Sequence, residues 1–448
     1  MKFNAFNQNL AEFSLEAIPP EVVHEAKRCL VTFLGSAISA HREKPVRIIE
    51  ETARELGSAP QATIIGTARK LDMRLAAMCN ATSGFMYDFD DTMVDTILHP
   101  SCAIYPPLLA WGESHGLTGD RMLRCFVLGV EVAERLARSV SKKGHFDYGW
   151  HATGTTGMFG AAAAAGKAMG LDELQMAYAI GLVGSQAAGN RANLSTDAKA
   201  LHAGNAAANG LMCAMMARRG MDSSLSALDS PRGFVRLYSS APDYDVLNEK
   251  WSGYQIMKNN YKPYPCGVVN FPSMDAAVRI YRRGVRAGDI DKVEIEINYL
   301  AMDVCGHKSQ PANFIEAKAS VHHGVAMALL HGRAGLKEYT DEAVHDPEAV
   351  ALRDRISLVE NPSVSIEESR LSVVLKNGER LCEFVDAATS SVSSRMSDET
   401  MEERFRGMTE SYLTKERQDR LLSAVWNIDK EEDISRIIEY SISDIDAG

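Results

Sequence analysis

The sequence predicts a mainly α fold that consists of a large all-helical domain and a smaller α+β domain. Through the first half of the chain, apolar residues recur at three- and four-residue steps, the spacing of buried amphipathic helices. An alternation with period two, typical of a half-buried strand, first appears at Val293–Ile297. The length of 448 residues fits two or three domains of about 100–200 residues each.

The composition is that of a folded globular protein with an excess of acidic residues. Hydrophobic residues make up 46% of the chain and charged residues 24%. The 48 lysines and arginines against 59 aspartates and glutamates give a net charge of −11. Such a chain offers no overall attraction to phosphate backbones or anionic lipid, so nucleic-acid and membrane partners are not expected.

The N-terminal residues contain no apolar stretch of the roughly 7–15 residues that a secretory signal requires. The eight cysteines are scattered, without a CxxC pair or a zinc-type spacing, which favours reduced thiols that fill the core. We therefore expect a cytoplasmic protein.

Four segments carry the helical period in the first domain, and Pro20 suits the first turn of the first of them. Glycine and alanine dominate Gly157–Gly166 and Ala206–Gly210, and such small side chains let helix axes approach closely. The sequence thus predicts tight helix packing in a large bundle. The four segments are Pro20 to about Ala40, Met122–Leu136, Met176–Ala188 and Ala203–Ala217.

The smaller α+β domain is placed at 263–395. Besides Val293–Ile297, strands are predicted at Leu371–Leu375 and Arg380–Phe384, joined by a two-residue hairpin turn at Asn377-Gly378. Helical spacing returns after Ser397. The main domain is therefore predicted to span 1–262 and to be completed by 396–448.

The segment Asp88-Phe89-Asp90-Asp91-Thr92, followed by Asp95 and His99, is the richest local signal for chemistry. As an active-site segment, it would place Asp88 and Thr92 one helical turn apart, facing a pocket. The imidazole of His99 would then handle protons near neutral pH. The alternative is a helix end with solvated acids and a capping histidine.

A metal site is a further alternative, because Asp91 and Asp95 would share one face of a continuing helix. Two carboxylates leave most of the coordination shell of a hard cation unfilled. We therefore expect no metal.

The loop Gly149–Gly157 places His151 among glycines and threonines just before an alanine-rich helix. Backbone amides at a helix start favour an anion. The alternative is a helix-entry turn whose histidine bonds locally. Neither GxGxxG nor GxxxxGK[ST] occurs here, so nucleotide binding is not supported.

Two lysines and three more histidines are the remaining candidates for site residues. Lys199 and His202 are three residues apart and share a helical face, and Lys262 stands at the proposed domain junction. For each lysine the alternative is a surface salt bridge. Of the adjacent His322 and His323, one is expected to face solvent.

Five segments that carry these side chains follow one another along the chain. In this order they resemble the MmgE/PrpD family, whose members include 2-methylcitrate dehydratase, cis-aconitate decarboxylase and iminodisuccinate epimerase. The segments are Asp88-Phe89-Asp90-Asp91-Thr92 with His99-Pro100-Ser101, Gly149-Trp150-His151-Ala152-Thr153-Gly154, Lys199-Ala200-Leu201-His202-Ala203-Gly204-Asn205-Ala206-Ala207, Lys262-Pro263-Tyr264-Pro265-Cys266 and Glu316-Ala317-Lys318-Ala319-Ser320.

The resemblance implies an all-helical main domain, a smaller α+β lid domain, a cleft between them, a homodimer, and catalysis without metal or organic cofactor. It implies catalytic roles for Asp88, His99, His151, Lys199 and Lys262, and substrate contacts for Thr92 and for His323, which stands where relatives often carry tyrosine. His202 is added to the substrate-binding set from its place beside Lys199.

The sequence departs from the family pattern in two further places. The stretch from Thr92 to His99 is a residue longer than in decarboxylase-like members. Gly267 and Phe271 follow Cys266 where dehydratase-like relatives tend to supply an arginine and a histidine, and decarboxylase-like relatives a histidine. These differences favour a dicarboxylate or otherwise altered substrate.

The family implies chemistry at a carbon beside a carboxylate of a small anionic acid, most simply a hydro-lyase of the 2-methylcitrate dehydratase type. Lys199 and Lys262 would bind substrate carboxylates, because charge builds on those oxygens. His151 and His99 would serve as general base and acid, and Asp88 would orient a histidine or the leaving group. Decarboxylation, epimerisation, or a non-catalytic carboxylate-binding role remain alternatives.

Overall fold

A computed structural model describes residues 4–194, 196–389 and 395–445. Its α-helices are, in chain order, α1 (Ala5–Glu12), α2 (Pro20–Ala40), α3 (Lys44–Glu55), α4 (Met73–Met86), α5 (Pro100–His115), α6 (Gly119–Val140), α7 (Ala152–Ala168), α8 (Glu173–Val183), α9 (Ala198–Arg218), α10 (Phe234–Tyr238), α11 (Tyr244–Asn248), α12 (Phe271–Arg282), α13 (Tyr299–Cys305), α14 (Phe314–Ala317), α15 (Val321–His331), α16 (Asp341–His345), α17 (Pro347–Arg353), α18 (Asp398–Thr409), α19 (Lys415–Trp426) and α20 (Ser435–Tyr440).

The strands are short and few beside the helices, so the predicted mainly α class with a smaller α+β part is confirmed. Within the described ranges, no helix combines the length and apolar character needed to cross a bilayer. The strands are β1 (Ala62–Thr63), β2 (Lys70–Leu71), β3 (Asp91–Thr92), β4 (Asn260–Tyr261), β5 (Ile290–Ile297), β6 (Ile356–Glu360), β7 (Ser369–Leu375) and β8 (Arg380–Val385).

The chain divides into two compact units. The main unit consists of Met1–Met86, Asp90–Asn259 and Asp398–Gly448, and the second unit of Tyr87–Phe89 and Asn260–Ser397. The predicted domain bounds at 262, 263–395 and 396 stay a prediction. The compact units differ from the predicted domains in that Asp88 and Lys262 both belong to the second unit.

Helices α6, α7 and α9 of the main unit pack through glycine and alanine, as the small-residue segments predict. A Cβ atom at Gly160 would lie 2.6 Å from the Gly129 carbonyl oxygen, and one at Gly210 would lie 2.5 Å from the Ala161 Cβ. Neither position has room for a methyl group. The backbones of the three helices therefore approach to a distance that only glycine permits at these points.

The predicted helix ends are mostly reproduced, with one correction. Helix α2 spans the predicted residues and has Pro20 at its first position. Helix α8 ends at Val183 rather than continuing to Ala188. The chain turns after Gly184 and reaches Gly189, whose carbonyl accepts a hydrogen bond from the His151 backbone (3.1 Å). The hydrogen bond between His151 and Gly189 is incompatible with an α8 that continues through Ala188.

The second unit is built on a four-stranded sheet in the order β6-β5-β7-β8, parallel between β5 and β6 and antiparallel elsewhere. Helices α12 and α15 pack together, and α12 also contacts β7 and β8. The three predicted strands fall within β5, β7 and β8. Strand β6 is an additional edge strand that the sequence analysis missed, because only its first residue is buried and no alternation marks it.

The hairpin between β7 and β8 differs from the predicted two-residue turn. Gly378 N donates to Leu375 O (2.8 Å), and Leu375 N donates to Glu379 O (2.8 Å), so the loop has three residues. Gly378 takes a positive φ of 87°, whereas Asn377 does not have a positive φ. This is a turn followed by a glycine bulge, which needs one left-handed residue rather than two.

A buried glutamate on α6 holds the segment that precedes α5. The Thr96 hydroxyl donates to Glu134 Oε2 (2.6 Å), and Glu134 is only 1% exposed. Burial, assisted by nearby Asp95, raises the pKa of Glu134 to about 8. In the folded protein this carboxyl group is therefore mostly protonated at neutral pH.

We expect the substitution Gly160→Ala to destabilise the main unit. The added methyl group would meet the Gly129 carbonyl oxygen, and overpacking of this kind costs about 1–3 kcal/mol in the free energy of unfolding. The matched control is Gly407→Ala, on an exposed position of α18 where an added Cβ meets nothing within 4 Å. There the higher helix propensity of alanine should stabilise by about 0.5–1 kcal/mol. Urea unfolding of both variants checks the prediction, and changes of the same sign would contradict it.

We also expect Glu134→Gln to stabilise the protein increasingly as pH rises. In the unfolded chain Glu134 ionises near its ordinary pKa of 4.5, whereas the folded protein retains the proton up to about pH 8. Between these values, rising pH lowers the free energy of unfolding by up to roughly 1.4 kcal/mol per pH unit from this group. Glutamine keeps an oxygen acceptor for Thr96 and does not titrate.

The measurement is the unfolding free energy of wild type and variant in urea across this pH range. The exposed Glu173→Gln serves as control, because it makes the same chemical change without removing a buried carboxyl group. A pH-independent difference for Glu134→Gln would contradict the assigned protonation state.

Candidate active site

The acidic segment between α4 and α5 is not helical. Helix α4 ends at Met86, and Asp88 has a left-handed φ of 55°. Aspartate tolerates this region better than most residues because its short polar side chain can bond locally. The prediction that Asp88 and Thr92 lie one helical turn apart is therefore wrong.

Three aspartates of this segment, Asp88, Asp90 and Asp91, are buried. Asp90 and Asp91 are fully buried, so the alternative of solvated acids is wrong for these two, whereas Asp95 is exposed. No helix runs through this part of the described chain, so the expectation that Asp91 and Asp95 share a helical face is wrong. Asp91 accepts hydrogen bonds from Ser101 Oγ (2.6 Å) and Asn259 Nδ2 (2.6 Å). Burial, with repulsion from Asp90, raises the pKa of Asp91 to about 6. Asp91 thus anchors the segment to the first turn of α5.

His99 immediately precedes α5, and its Nδ1 atom meets three oxygens. These are the Asp91 carbonyl oxygen (3.0 Å), Thr92 Oγ1 (3.1 Å) and Asp90 Oδ2 (3.1 Å). A backbone carbonyl can only accept, so Nδ1 carries hydrogen and proton exchange falls to Nε2. The structure thus brings the predicted His99 and Thr92 together. It also adds Asp90, whose only signal in the sequence is its place in the acidic cluster.

His151 occupies the corresponding position at the start of α7. Its side chain does not cap the helix, which leaves the ring for other contacts. The His99 backbone N–H donates to Thr153 Oγ1 (3.1 Å) and joins the starts of α5 and α7. The positive ends of two helix dipoles therefore lie side by side, a favourable place for an anion.

The Phe85 ring, on the last turn of α4, lies among the predicted residues of the main unit. Its centroid is 4.7 Å from the His99 ring, 5.7 Å from the His151 ring and 4.8 Å from Lys199 Nζ. The centroids of the two histidine rings are 6.3 Å apart. Phe85 thus helps to orient both imidazoles and the ammonium group, and nothing in its sequence context marks it out.

His202 pairs with His151 rather than standing alone. The two Nδ1 atoms are 3.0 Å apart. Burial and the positive charge of Lys199 both lower the pKa of His202. The predicted sharing of a helical face by Lys199 and His202 agrees with this electrostatic coupling.

In the second unit, Lys262 and Asp88 form a buried ion pair. Lys262 Nζ lies 2.5 Å from Asp88 Oδ1, and Lys262 is 1% exposed. The alternative of a surface salt bridge is therefore wrong for Lys262. The Asp88 carboxylate offsets the cost of burying the Lys262 ammonium group away from water.

Lys318 is a further buried cation of the second unit that the site prediction omitted. Its Nζ lies 4.9 Å from the Phe314 ring centroid and 5.6 Å from that of Tyr87. Its carbonyl oxygen accepts a hydrogen bond from Gly267 N (3.1 Å). The motif Glu316–Ser320 contains this lysine and was the signal that could have identified it.

His323 is held by groups of the second unit itself. Its Nε2 donates to the Glu338 carbonyl oxygen (2.8 Å), and its Nδ1 accepts from Arg353 Nη1 (3.0 Å). Burial, with the charge of Arg353, lowers the pKa of His323 to about 4. His322 is buried as well, so the expectation that one of the two faces solvent is wrong. Both ring nitrogens of His323 are thus engaged by groups of the second unit.

The predicted site residues fall into two groups, one in each compact unit. The main unit holds Thr92, His99, His151, Lys199 and His202, and the second unit holds Asp88, Lys262 and His323.

Family models and known proteins match this sequence over nearly its whole length. A family model of the MmgE/PrpD N-terminal domain matches residues 4–247, and one of the MmgE/PrpD C-terminal domain matches residues 264–430. Cis-aconitate decarboxylase of Homo sapiens is 26% identical over 436 residues, which cover 92% of this chain and 89% of that protein. Cis-aconitate decarboxylase of Aspergillus terreus is 22% identical over 459 residues (96% and 93%).

A third relative matches a shorter part of the chain. 2-Methylcitrate dehydratase of Escherichia coli (strain K12) is 26% identical over 176 residues, which cover 38% of this chain and 36% of that protein. The two domain models together account for most of the sequence. The chain belongs to the MmgE/PrpD family.

Proposed function

We propose that the protein is a cofactor-independent lyase that acts at a carbon beside a carboxylate of a small unsaturated or hydroxy polycarboxylic acid. One observation carries the proposal: two histidines at adjoining helix starts and a lysine surround the Phe85 ring in the main unit. Imidazoles exchange protons near neutrality, and an ammonium group stabilises carboxylate oxygens on which charge develops.

The two lyase reactions use these groups in related ways. In decarboxylation, the bond to the departing carboxylate carbon breaks, carbon dioxide leaves, and its electron pair stays on the substrate as an enolate-like anion. An imidazolium then protonates that carbon. In dehydration, an imidazole removes a proton beside a carboxylate, and a second group protonates the departing hydroxide. Both reactions need a cation at the carboxylate and a proton carrier at the carbon.

A carboxy-lyase is our first candidate, and the hydro-lyase of the 2-methylcitrate dehydratase type is the second. Relatives named cis-aconitate decarboxylase match 92–96% of this chain, whereas the dehydratase of Escherichia coli matches 38%. Gly267 and Phe271 depart from the pattern of both the dehydratase-like and the decarboxylase-like relatives, so they favour an altered acid substrate rather than one of the two reactions. An epimerase on a related dicarboxylate would use the same anion with a different fate.

The proposal is tested by offering chelator-treated protein cis-aconitate, citrate, 2-methylcitrate and substituted succinates, and by following carbon dioxide, double-bond formation and configuration separately. We expect release of carbon dioxide from cis-aconitate or a close analogue. Water loss from a hydroxy acid would favour the second candidate. Binding of these acids without turnover would identify a non-catalytic relative and contradict the proposal.

We further expect a homodimer and a cytoplasmic protein, and activity without metal or organic cofactor. Light scattering on the purified protein tests the first expectation. Activity that disappears on chelation and returns with a divalent cation would contradict the last.

We expect His151→Ala to abolish turnover while leaving the fold intact. Loss of a positioned acid or base costs about 10²–10⁴-fold in kcat. His331→Ala, at an exposed position at the end of α15, is the matched control and should keep wild-type turnover. Near-full activity of the His151 variant would exclude it as the proton carrier.

For the ion pair of the second unit, we expect Lys262→Met to lower both thermal stability and carboxylate affinity. It leaves the Asp88 carboxylate buried without its ammonium partner, which costs about 3–5 kcal/mol. It also removes a charged contact to substrate, which weakens binding about 10- to 100-fold.

The double variant Lys262→Met with Asp88→Asn separates the two effects. Without the buried charge, thermal stability should largely return, whereas the affinity for cis-aconitate measured by calorimetry should stay low. Asparagine also tolerates the left-handed φ of position 88. Recovery of wild-type affinity in the double variant would show that Lys262 does not contact substrate.

A further inference from the structure

The contact between His151 and His202 joins two imidazoles through the same kind of atom. Their Nδ1 atoms are 3.0 Å apart, and the ring planes meet at 46°. Both side chains are buried. Such a hydrogen bond requires that one Nδ1 carries hydrogen and donates, while the other presents its lone pair. The question is which ring donates.

The position of His202 is fixed by glycines on the neighbouring backbone. A Cβ at Gly189 would lie 3.3 Å from the His202 Cγ, and one at Gly154 would lie 3.2 Å from the His202 Cβ and 2.5 Å from the Ala188 carbonyl oxygen. The ring of His202 is therefore seated against the start of α7 and the segment before Asn190. Side chains larger than hydrogen at Gly154 or Gly189 would displace the His202 ring from this seat.

The charges around the pair keep His202 neutral. Lys199 stands one turn earlier on the same helix, and burial and this charge lower the pKa of His202. On the other elements, α5 begins with His99, which is paired with Asp90, and α4 presents the uncharged Phe85 ring. Residues 187–190 carry no titratable side chain. A neutral His202 has one ring hydrogen, on either Nδ1 or Nε2.

The chemistry of His151 decides between these two tautomers. A histidine that takes up and returns a proton alternates between the neutral ring and the imidazolium. Because its Nδ1 faces His202, the exchange takes place at Nε2. Both forms then carry hydrogen on Nδ1 and need an acceptor there. If His202 donated instead, neutral His151 would carry its hydrogen on Nε2 and would lack the lone pair of a base.

We propose that His202 is a positioning residue that accepts the hydrogen bond from His151 Nδ1 and thereby holds His151 in the tautomer whose Nε2 acts as the base. This inference rests on the proposed function and replaces the direct substrate contact predicted for His202. The inference also distinguishes His99 from His151. His99 Nδ1 faces the carboxyl group of Asp90, whereas His151 Nδ1 faces the neutral ring of His202.

Three substitutions at His202 test the proposal through the pH dependence of kcat/KM on the substrate found in the panel above. His202→Leu removes the acceptor and should lower kcat about tenfold or more. His202→Asn places an amide oxygen near the former Nδ1 and should restore most of that loss. His202→Asp supplies a charged acceptor and should move the acid limb of the profile upward by about one pH unit or more.

A role in packing alone would give a different pattern. Wild-type turnover in His202→Leu would overturn the proposal. Equal losses in all three variants with an unmoved pH profile would overturn it as well. Thermal unfolding of each variant identifies any that do not fold.

A second measurement does not depend on activity or on a variant. In wild-type protein with ¹⁵N-labelled histidine, two-bond proton–nitrogen correlations identify the hydrogen-bearing nitrogen of each ring. We expect neutral His151 to carry hydrogen on Nδ1 and His202 on Nε2. Hydrogen on His202 Nδ1 would overturn the inference even if the protein is an active lyase. The expected tautomers in a protein that turns over none of the acids would support the inference and refute the proposed function.

Discussion

The approach of α7 to its neighbours is the contact on which the site of the main unit depends. Glycine at positions 129, 160 and 210 lets α6, α7 and α9 pack with their backbones almost touching. His151 immediately precedes the first residue of α7, and α9 carries Lys199 and His202. Helices are stiff and interiors are densely packed, so a wider spacing would be transmitted to the helix starts. The 3.0 Å contact between the two imidazoles would not survive a shift of about an ångström.

Charge is distributed unevenly in this acidic protein. The net charge is −11, yet the starts of α5 and α7 and the Lys199 ammonium group bring positive potential to one place. Burial raises the pKa of Glu134 to about 8, so this carboxyl group is mostly neutral near pH 7, and it raises the pKa of Asp91 to about 6. Exposed charges farther away are screened over roughly 8–10 Å. The local field therefore favours an anion in spite of the overall charge.

Local patterns predicted much of the fold. The period of three to four residues placed α2, α6 and α9, and alternation placed β5, β7 and β8, because side-chain burial repeats with backbone geometry. The predictions were wrong or incomplete where contacts between residues far apart in the sequence decide the structure. Helix α8 ends early where its following segment pairs with His151, and β6 exists only as a partner of β5.

The sequence by itself determined the family pattern and the kinds of side chain available for chemistry, since residue order and spacing are preserved whatever the packing. Only the tertiary structure decided their partners. It joined Asp88 to Lys262, His99 to Asp90 and His151 to His202, and it buried His323 against Arg353. These pairs span up to 174 positions of sequence, and one-dimensional spacing contains no information about which distant groups meet or which nitrogen carries a proton.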